Sequence, residues 1–298
     1  SSFDALLVKA DLALYSAKAS EGGSVRIFRE KLYLKRVRFL EVEDRLARAL
    51  RYESGDLSLS YQPIVCLRTH KIIGLEALSR LHSNTELEVS PTEFIPVAEA
   101  TGLITELGGW VLHNAVEAYL AMPDALKGCR ISVNVSPKQF HNLSLLNQLR
   151  TLAKTPNFNP AQMEIELTET ALQIGEGHFS RMLQEIVEMG YTLAIDDFGS
   201  AYSNIARLNG YPVHTIKIDR SMMTHADGKL VSGAIDIVRA LNLSVVAEGV
   251  ETKQQSDWLI SKGCTEHQGF FYSKPLSLDE VKQLTSNDIS ALKKFNQT

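Results

Sequence analysis

The chain has 298 residues, 44% of them hydrophobic and 22% charged, with a formal net charge of −4. That length can bury a full-sized core, and the slightly acidic balance offers no basic footprint for DNA or RNA. Cys66, Cys129 and Cys264 are odd in number and far apart, which argues against a disulfide framework or a zinc knuckle, and no apolar run nears the ~20 residues of a membrane span.

In chain order, residues 1–30 read as a helix, DALLVKADLALYSAKA, followed by a short extended run, SVRIF. Such a fragment cannot bury a core alone and reads as the tail of another domain. Residues 31–54 are charged and periodic (KLYLKRVRFLEVEDRLARALRY) and predict a connecting helix that stops before Gly55. From 55 to 298 the rhythm changes. Short β-rich runs (SLSYQPIV, IIGLEALSRL, RISVNVS, MEIELTET, TLAIDDF, TIKID, SVVAEGV, EHQGFF) alternate with amphipathic stretches such as LITELGGWVLHNAVEAYLAM, FSRMLQEIVEMG, LVSGAIDIVRALN and TKQQSDWLISKG. About eight strands with helices between them predict an α/β fold, a modified TIM-type (β/α)8 barrel. Only CLRTHK separates the first two strands, so they predict a hairpin and one strand antiparallel to the rest.

The polar residues of these strands fall at or near their ends: Glu76, Asn134, Glu166, Asp196, Asp197, Lys217, Asp219, Glu248, Glu251 and Gln268. Barrel enzymes keep their active sites at the mouth where strand ends converge. A single acid there is commonly a helix cap; seven strands delivering carboxylate, amide or amine to one rim need another reason. Five carboxylates, Glu76, Glu166, Asp196, Asp197 and Glu248, face one ammonium, Lys217. Like charges raise each other's pKa, so some must stay protonated unless cations sit between them. Oxygen ligands without cysteine or histidine suit hard cations such as Mg²⁺ or Mn²⁺, and two ions held ~4 Å apart form a recurrent clamp for phosphate-ester hydrolysis. The residues themselves predict a phosphate-ester hydrolase and do not name the ester.

The segments YQPIV, EALSR, SVNVS, ELTET, IDDFGSAYSN, TIKIDRS, VAEGVE and QGFFYSKP resemble, in order, the signature blocks of EAL-domain cyclic di-GMP phosphodiesterases. The leading ADLALYSAK…VRIF is similar to the C-terminal end of a GGDEF (diguanylate cyclase) domain. The resemblance implies two-metal activation of water to open cyclic di-GMP to linear pGpG, the alternative being a non-catalytic receptor signalling through the connecting helix. It implies Glu76, Asn134, Glu166, Asp196, Asp197 and Glu248 as ligands of two Mg²⁺ or Mn²⁺ ions, with Asp196 bridging. Lys217 and Glu248 would act on the water, Glu169 would anchor the loop after Asp197, and Gln62, Leu78, Arg80, Asp219, Glu251 and Gln268 would line the substrate. Glu169 beside Thr170, and Glu251 beside Thr252, also suit helix caps, and Asn134 could be a satisfied barrel amide.

Ala201 stands where the family has a glycine, which puts the freedom of that loop in question. Glu76, as a rim carboxylate, is expected to be dispensable for folding. The resemblance further implies a homodimer through the EAL domain, in the cytoplasm or the cytoplasmic part of a membrane-anchored sensor, with no DNA, RNA or membrane contact from this segment.

Overall fold

Alternation of short β-rich runs with amphipathic segments closes, in the computed structural model, into a barrel of order β1 to β8. The structure describes residues 9, 10, 14, 30–52, 55–82, 89–141, 143–173, 177–199, 210–223 and 228–295. Apart from residues 9, 10 and 14, the cyclase-like fragment lies outside the described residues, as does the loop bearing Ala201. By contacts the chain divides into two units, one of residues 1–57 with 81–103 and the other of 58–80 with 104–298.

In the first unit, helix α1 (Glu30–Tyr52) packs with α2 (Pro91–Thr101). Arg38 clamps Glu93 through two hydrogen bonds of 2.6 and 3.0 Å. Val42, Leu46 and Ala49 are the buried side of α1, at the i, i+4, i+7 spacing of one helix face. The α2 helix opens with Pro91, whose missing N–H costs nothing in a first turn, and ends at Gly102 in a left-handed conformation, φ 84°.

The barrel strands are β1 (Leu57–Cys66), β2 (Lys71–Leu81), β3 (Arg130–Asn134), β4 (Met163–Thr168), β5 (Thr192–Phe198), β6 (Thr215–Ile218), β7 (Ser244–Ala247) and β8 (Glu266–Gln268). Each of β2 to β7 pairs in parallel with its successor, whereas β1 meets β8 antiparallel, with Ile64 opposite Gln268. The antiparallel strand is therefore β1, and it turns its N-terminal half, with Gln62, toward the end at which the others finish. The helices between strands bury one stripe each. In α5 (His178–Glu188) the buried residues are Phe179, Met182, Leu183 and Ile186, and in α7 (Lys229–Ala240) they are Val231, Ala234, Ile235 and Val238. Between these elements run α3 (Ile104–Leu120), α4 (Ser144–Leu152), the single turn α6 (Arg220–Met223) and α8 (Lys253–Ser261).

The barrel interior is layered. Ser132, Glu164 and Thr215 are buried two residues before Asn134, Glu166 and Lys217 on their strands, so both sets face inward. Glu164 accepts from Thr215 Oγ1 at 2.6 Å and Ser132 Oγ at 3.3 Å, and its carboxylate lies 3.1 Å from Arg130 Nε. Arg130 also reaches Glu266 at 3.3 Å. This paired polar layer closes the end of the barrel opposite the strand C-termini.

Under β8 lies a buried hydrogen-bond chain. His267 Nε2 is 3.2 Å from the Cys264 carbonyl, so it carries the proton. The ring's Nδ1 then accepts from Tyr272 Oη at 2.9 Å, and Tyr272 in turn accepts from Ser256 Oγ at 2.7 Å. Burial pushes the His267 pKa down to about 4. The unfolded chain, with an ordinary histidine near pH 6.5, binds the proton that the fold refuses, so stability is lost as pH falls from about 6.5 to 4. The loss expected from this group is about 3 kcal/mol. Urea unfolding of wild type and His267→Gln across that range checks it, and parallel pH profiles would remove His267 as the cause.

Candidate active site

The mouth is built from strand ends that the ladder places side by side. Glu76 stands opposite Ser132, Asn134 opposite Glu166, and Thr168 opposite Asp196. Successive residues of a strand face opposite ways, so neighbouring Asp196 and Asp197 should not share a site. The pairing of β5 with β6 shifts between Ile195 and Phe198, and Asp197 takes a left-handed φ of 55°. This bulge brings both carboxylates to the mouth. Gly199 follows at φ 92°, where a Cβ would collide with the Met222 side chain. Its backbone N–H donates to buried Glu169 at 3.2 Å.

At the centre Lys217 is fully buried. Its Nζ lies 2.6 Å from Glu248, 2.8 Å from Glu166, 3.3 Å from Glu76 and 3.8 Å from Asp196. Burial alone would lower the lysine pKa, but the charges of Glu166, Glu248, Glu76 and Asp196 outweigh it and raise the pKa well above the ordinary value.

The carboxylates divide. Burial pushes Glu76 up, yet Lys217 and the hydrogen bonds from Gln268 and Asn134 together hold it below the usual range. Burial raises Glu166 well above that range, since Glu76, Asp196 and Glu164 add repulsion that Lys217 does not cancel. Burial likewise takes Glu248 to about 8 and raises Asp197, the latter helped by Asp196 and Asp219.

Two sets of carboxylates could each hold an ion: Glu76, Glu166 and Asp196, and then Asp196, Asp197 and Glu248, with ligand oxygens within 4.8 Å of one another in each set. Asp196 belongs to both. Asn134 Nδ2 donates to Glu76 at 2.7 Å, which leaves its carbonyl oxygen as a further hard donor. Glu166 Oε1 and Gln268 Oε1 are buried acceptors that lack a hydrogen-bond partner among the described residues. Orphaned acceptors amid clustered carboxylates fit a divalent cation.

The remaining expected residues surround this cluster. Gln268 Nε2 donates to Glu76 and to Gln62 Oε1, and Gln62 Nε2 donates to the Ser273 carbonyl at 3.2 Å. Leu78 lines the mouth, and Arg80, two residues on, donates to the Ser79 carbonyl at 3.0 Å. Asp219 accepts from Ser221 N at 2.8 Å, capping α6. The helix-cap reading of Glu251 is corrected: Thr252 and Gln255 form the capping box of α8, while Glu251 meets Arg220 at 3.2 Å. Arg220 and Phe270 also line the mouth and escaped the sequence reading. The adjacent phenylalanines of QGFF, too polar a setting for core residues, were the available signal.

A match to the family described as EAL domain spans residues 43–275. The signaling protein YkoW of Bacillus subtilis is 33% identical over 283 residues, 93% of this chain and 35% of the relative. The cyclic di-GMP phosphodiesterase NbdA of Pseudomonas aeruginosa is 34% identical over 287 residues, 93% of this chain and 36% of the relative. Among solved structures, the PaMucR phosphodiesterase in its c-di-GMP complex matches with a TM-score of 0.75 at 33% identity, covering 81% of this chain and 99% of that one. The chain spans about a third of the length of the curated relatives it matches.

Proposed function

The chain belongs to the EAL domain family, and from that premise and the geometry of the mouth we propose that it hydrolyses cyclic di-GMP to linear pGpG. The observation that carries the proposal is the pair of carboxylate sets sharing Asp196. Glu76, Asn134, Glu166 and Asp196 would hold one divalent cation, and Asp196, Asp197 and Glu248 the other. When bound, the two cations supply positive charge that acidifies water and offsets the charge of the phosphate. Oxygen donors throughout support Mg²⁺ or Mn²⁺.

The chain's own residues do the rest. Lys217, kept protonated by its carboxylate neighbours, donates from Nζ to orient the attacking water and has no lone pair to take its proton. Glu248 sits 2.6 Å from that ammonium, so the carboxylate that would help hold the second cation also fixes the lysine beside the attacking water. Glu169, by holding Gly199 N–H, fixes the backbone that follows Asp197. Gln62, Leu78 and Arg80 form the substrate wall, where the Arg80 guanidinium offers phosphate a forked donor.

The proposal extends, on sequence resemblance alone, to residues 1–30 as a GGDEF remnant, 31–54 as a connecting helix, 55–298 as the EAL barrel, and a homodimer through that barrel in the cytoplasm. Among the described residues no helix is long and apolar enough to cross a membrane.

The test is incubation of the purified chain with cyclic di-GMP and Mg²⁺, followed by product chromatography. Linear product that disappears after exhaustive chelation and returns with Mg²⁺ or Mn²⁺ is expected. Ca²⁺ should occupy the site with little turnover, because its longer and looser coordination aims water poorly. Tight binding without product would make the chain a receptor, and activity that survives chelation would remove the two-cation mechanism.

A further inference from the structure

The end of the barrel opposite the mouth holds another cavity, of about 540 Å³, within the roughly 300–1,000 Å³ of small-molecule sites. Arg68 stands on its wall in the turn just after β1, which ends on this side because it runs antiparallel to β8. Arg239 joins from the last turn of α7, and Asn242 from the turn that leads into β7. Thr265 and Glu266 complete the wall where β8 begins. A cation in a helix's last turn favours the open carbonyls there, which gives Arg239 an ordinary role. That role does not bring a second arginine, from a distant part of the chain, to the same cavity. Glu266 is the one acidic side chain among the described residues that line it, and it is already engaged. Its carboxylate lies 3.3 Å from Arg130, whose guanidinium also meets Glu164 at 3.1 Å. Neither Arg68 nor Arg239 makes an ion pair among the described residues, so the wall carries uncompensated positive charge. Shape holds one of the two in place: Gly263 takes a left-handed φ of 85°, and a Cβ there would collide with Arg239 Nη1. Bare backbone at that position leaves room for the guanidinium.

We propose that this cavity binds a small phosphorylated molecule through its phosphate groups, with Arg68 and Arg239 as the paired donors. A guanidinium offers phosphate a planar fork of N–H groups, and two forks match an anion that carries two phosphates. The Asn242 amide and the Thr265 hydroxyl add neutral donors to the same wall. Leu243 and Val245 are the apolar residues that line it, too little surface to bury a ring or an acyl chain, so charge carries the recognition. The site lies a barrel's length from the carboxylate cluster. Its ligand therefore needs no cation at the mouth and does not compete with substrate there, and the inference stands apart from the cyclic di-GMP reading.

The test is calorimetric titration of the full chain with pyrophosphate in chelator, which keeps cations at the mouth from capturing the probe. Wild type, Arg68→Gln, Arg239→Gln and Arg220→Gln are compared at matched ionic strength, with sulfate as a second titrant. Wild type should bind one pyrophosphate per chain, roughly tenfold or more tighter than sulfate, because a single sulfate cannot fill both forks. Arg68→Gln and Arg239→Gln should each weaken pyrophosphate binding roughly 10- to 150-fold, the range of a hydrogen bond to a charged group. Both side chains are exposed, so both variants should melt with wild type. Arg220→Gln removes a cation at the mouth and should leave the affinity unchanged. Absence of saturable binding, or sulfate bound as tightly as pyrophosphate, overturns the proposal. So does affinity that survives either Arg68→Gln or Arg239→Gln, or that falls equally in Arg220→Gln.

Discussion

Lys217→Met is expected to reduce turnover at saturating Mg²⁺ by roughly 10²- to 10³-fold, the loss typical when one preorganised charge is removed from a reaction centre. The ammonium is fully buried and within 3.8 Å of four carboxylates. Methionine keeps the volume and the unbranched stem, so packing changes little and the charge is what is lost. Without it the cluster has no internal cation, and removing one partner of a buried ionic network costs about 3–5 kcal/mol. Some of that is recovered as Glu166 and Glu248 take up protons, a state toward which their raised pKa values already point. The melting temperature in chelator should therefore fall well below wild type, and Mg²⁺ or Mn²⁺ should close most of the gap by supplying the missing charge. Turnover should stay low even then, because the cations replace the lysine's charge and not its hydrogen bonds to water. Thermal melts with chelator and with Mn²⁺, beside initial rates, check both parts. A variant with turnover within twofold of wild type would reduce Lys217 to a charge filler.

Much of this site was legible because barrel strands are apolar by default, and a polar residue at a strand end stands out against that background. Glu76, Asn134, Glu166, Asp196 and Lys217 are conspicuous for this reason, and the eight strands themselves follow from short β-rich runs between helical stretches. What stayed hidden depends on the third dimension. The inward layer of Ser132, Glu164 and Thr215 lies within the strands, where a polar residue looks like an error until Arg130 is seen pairing with Glu164. The bulge that brings Asp197 beside Asp196 has no local signature, since alternation alone would separate them. The helix Pro91–Thr101 carries Pro96 inside it, a residue that argues against helix in any sequence reading. Arg220 and Phe270 sit past the strand ends, where a long side chain's direction follows from its neighbours' backbone, here Gly249.

Glu76→Ala and Glu166→Gln should both bring turnover to background, yet differ in stability when no cation is present. Either substitution removes a ligand oxygen from the set formed with Asp196, so the cation that set would hold is lost in both. In chelator the two positions are not equivalent. Glu76 is the carboxylate whose pKa is lowered, and it accepts from Asn134 Nδ2 and Gln268 Nε2 while facing Lys217. Alanine removes one acceptor from the buried Gln268 amide, which keeps only Gln62, and frees the exposed Asn134 amide; the lost buried hydrogen bond costs about 1–3 kcal/mol. The simple view of a rim carboxylate, dispensable for folding and relieving repulsion when removed, overlooks these bonds. Glu166 has the opposite character: burial and its carboxylate neighbours raise its pKa well above the ordinary value, so the cation-free chain favours its protonated form. Glutamine is close to a protonated carboxyl in shape and hydrogen bonding, and its carbonyl oxygen can still accept from Lys217 Nζ, now 2.8 Å from Glu166 Oε2. The melting temperature of Glu166→Gln in chelator should stay near that of wild type, while Glu76→Ala melts lower. Added Mn²⁺ should stabilise wild type more than either variant, because both lack a ligand. Differential scanning calorimetry of the three proteins with chelator and with Mn²⁺ makes the comparison. Equal destabilisation by the two substitutions would mean that Glu166 is ionised without a cation, and the division of charge within the cluster would have to be redrawn.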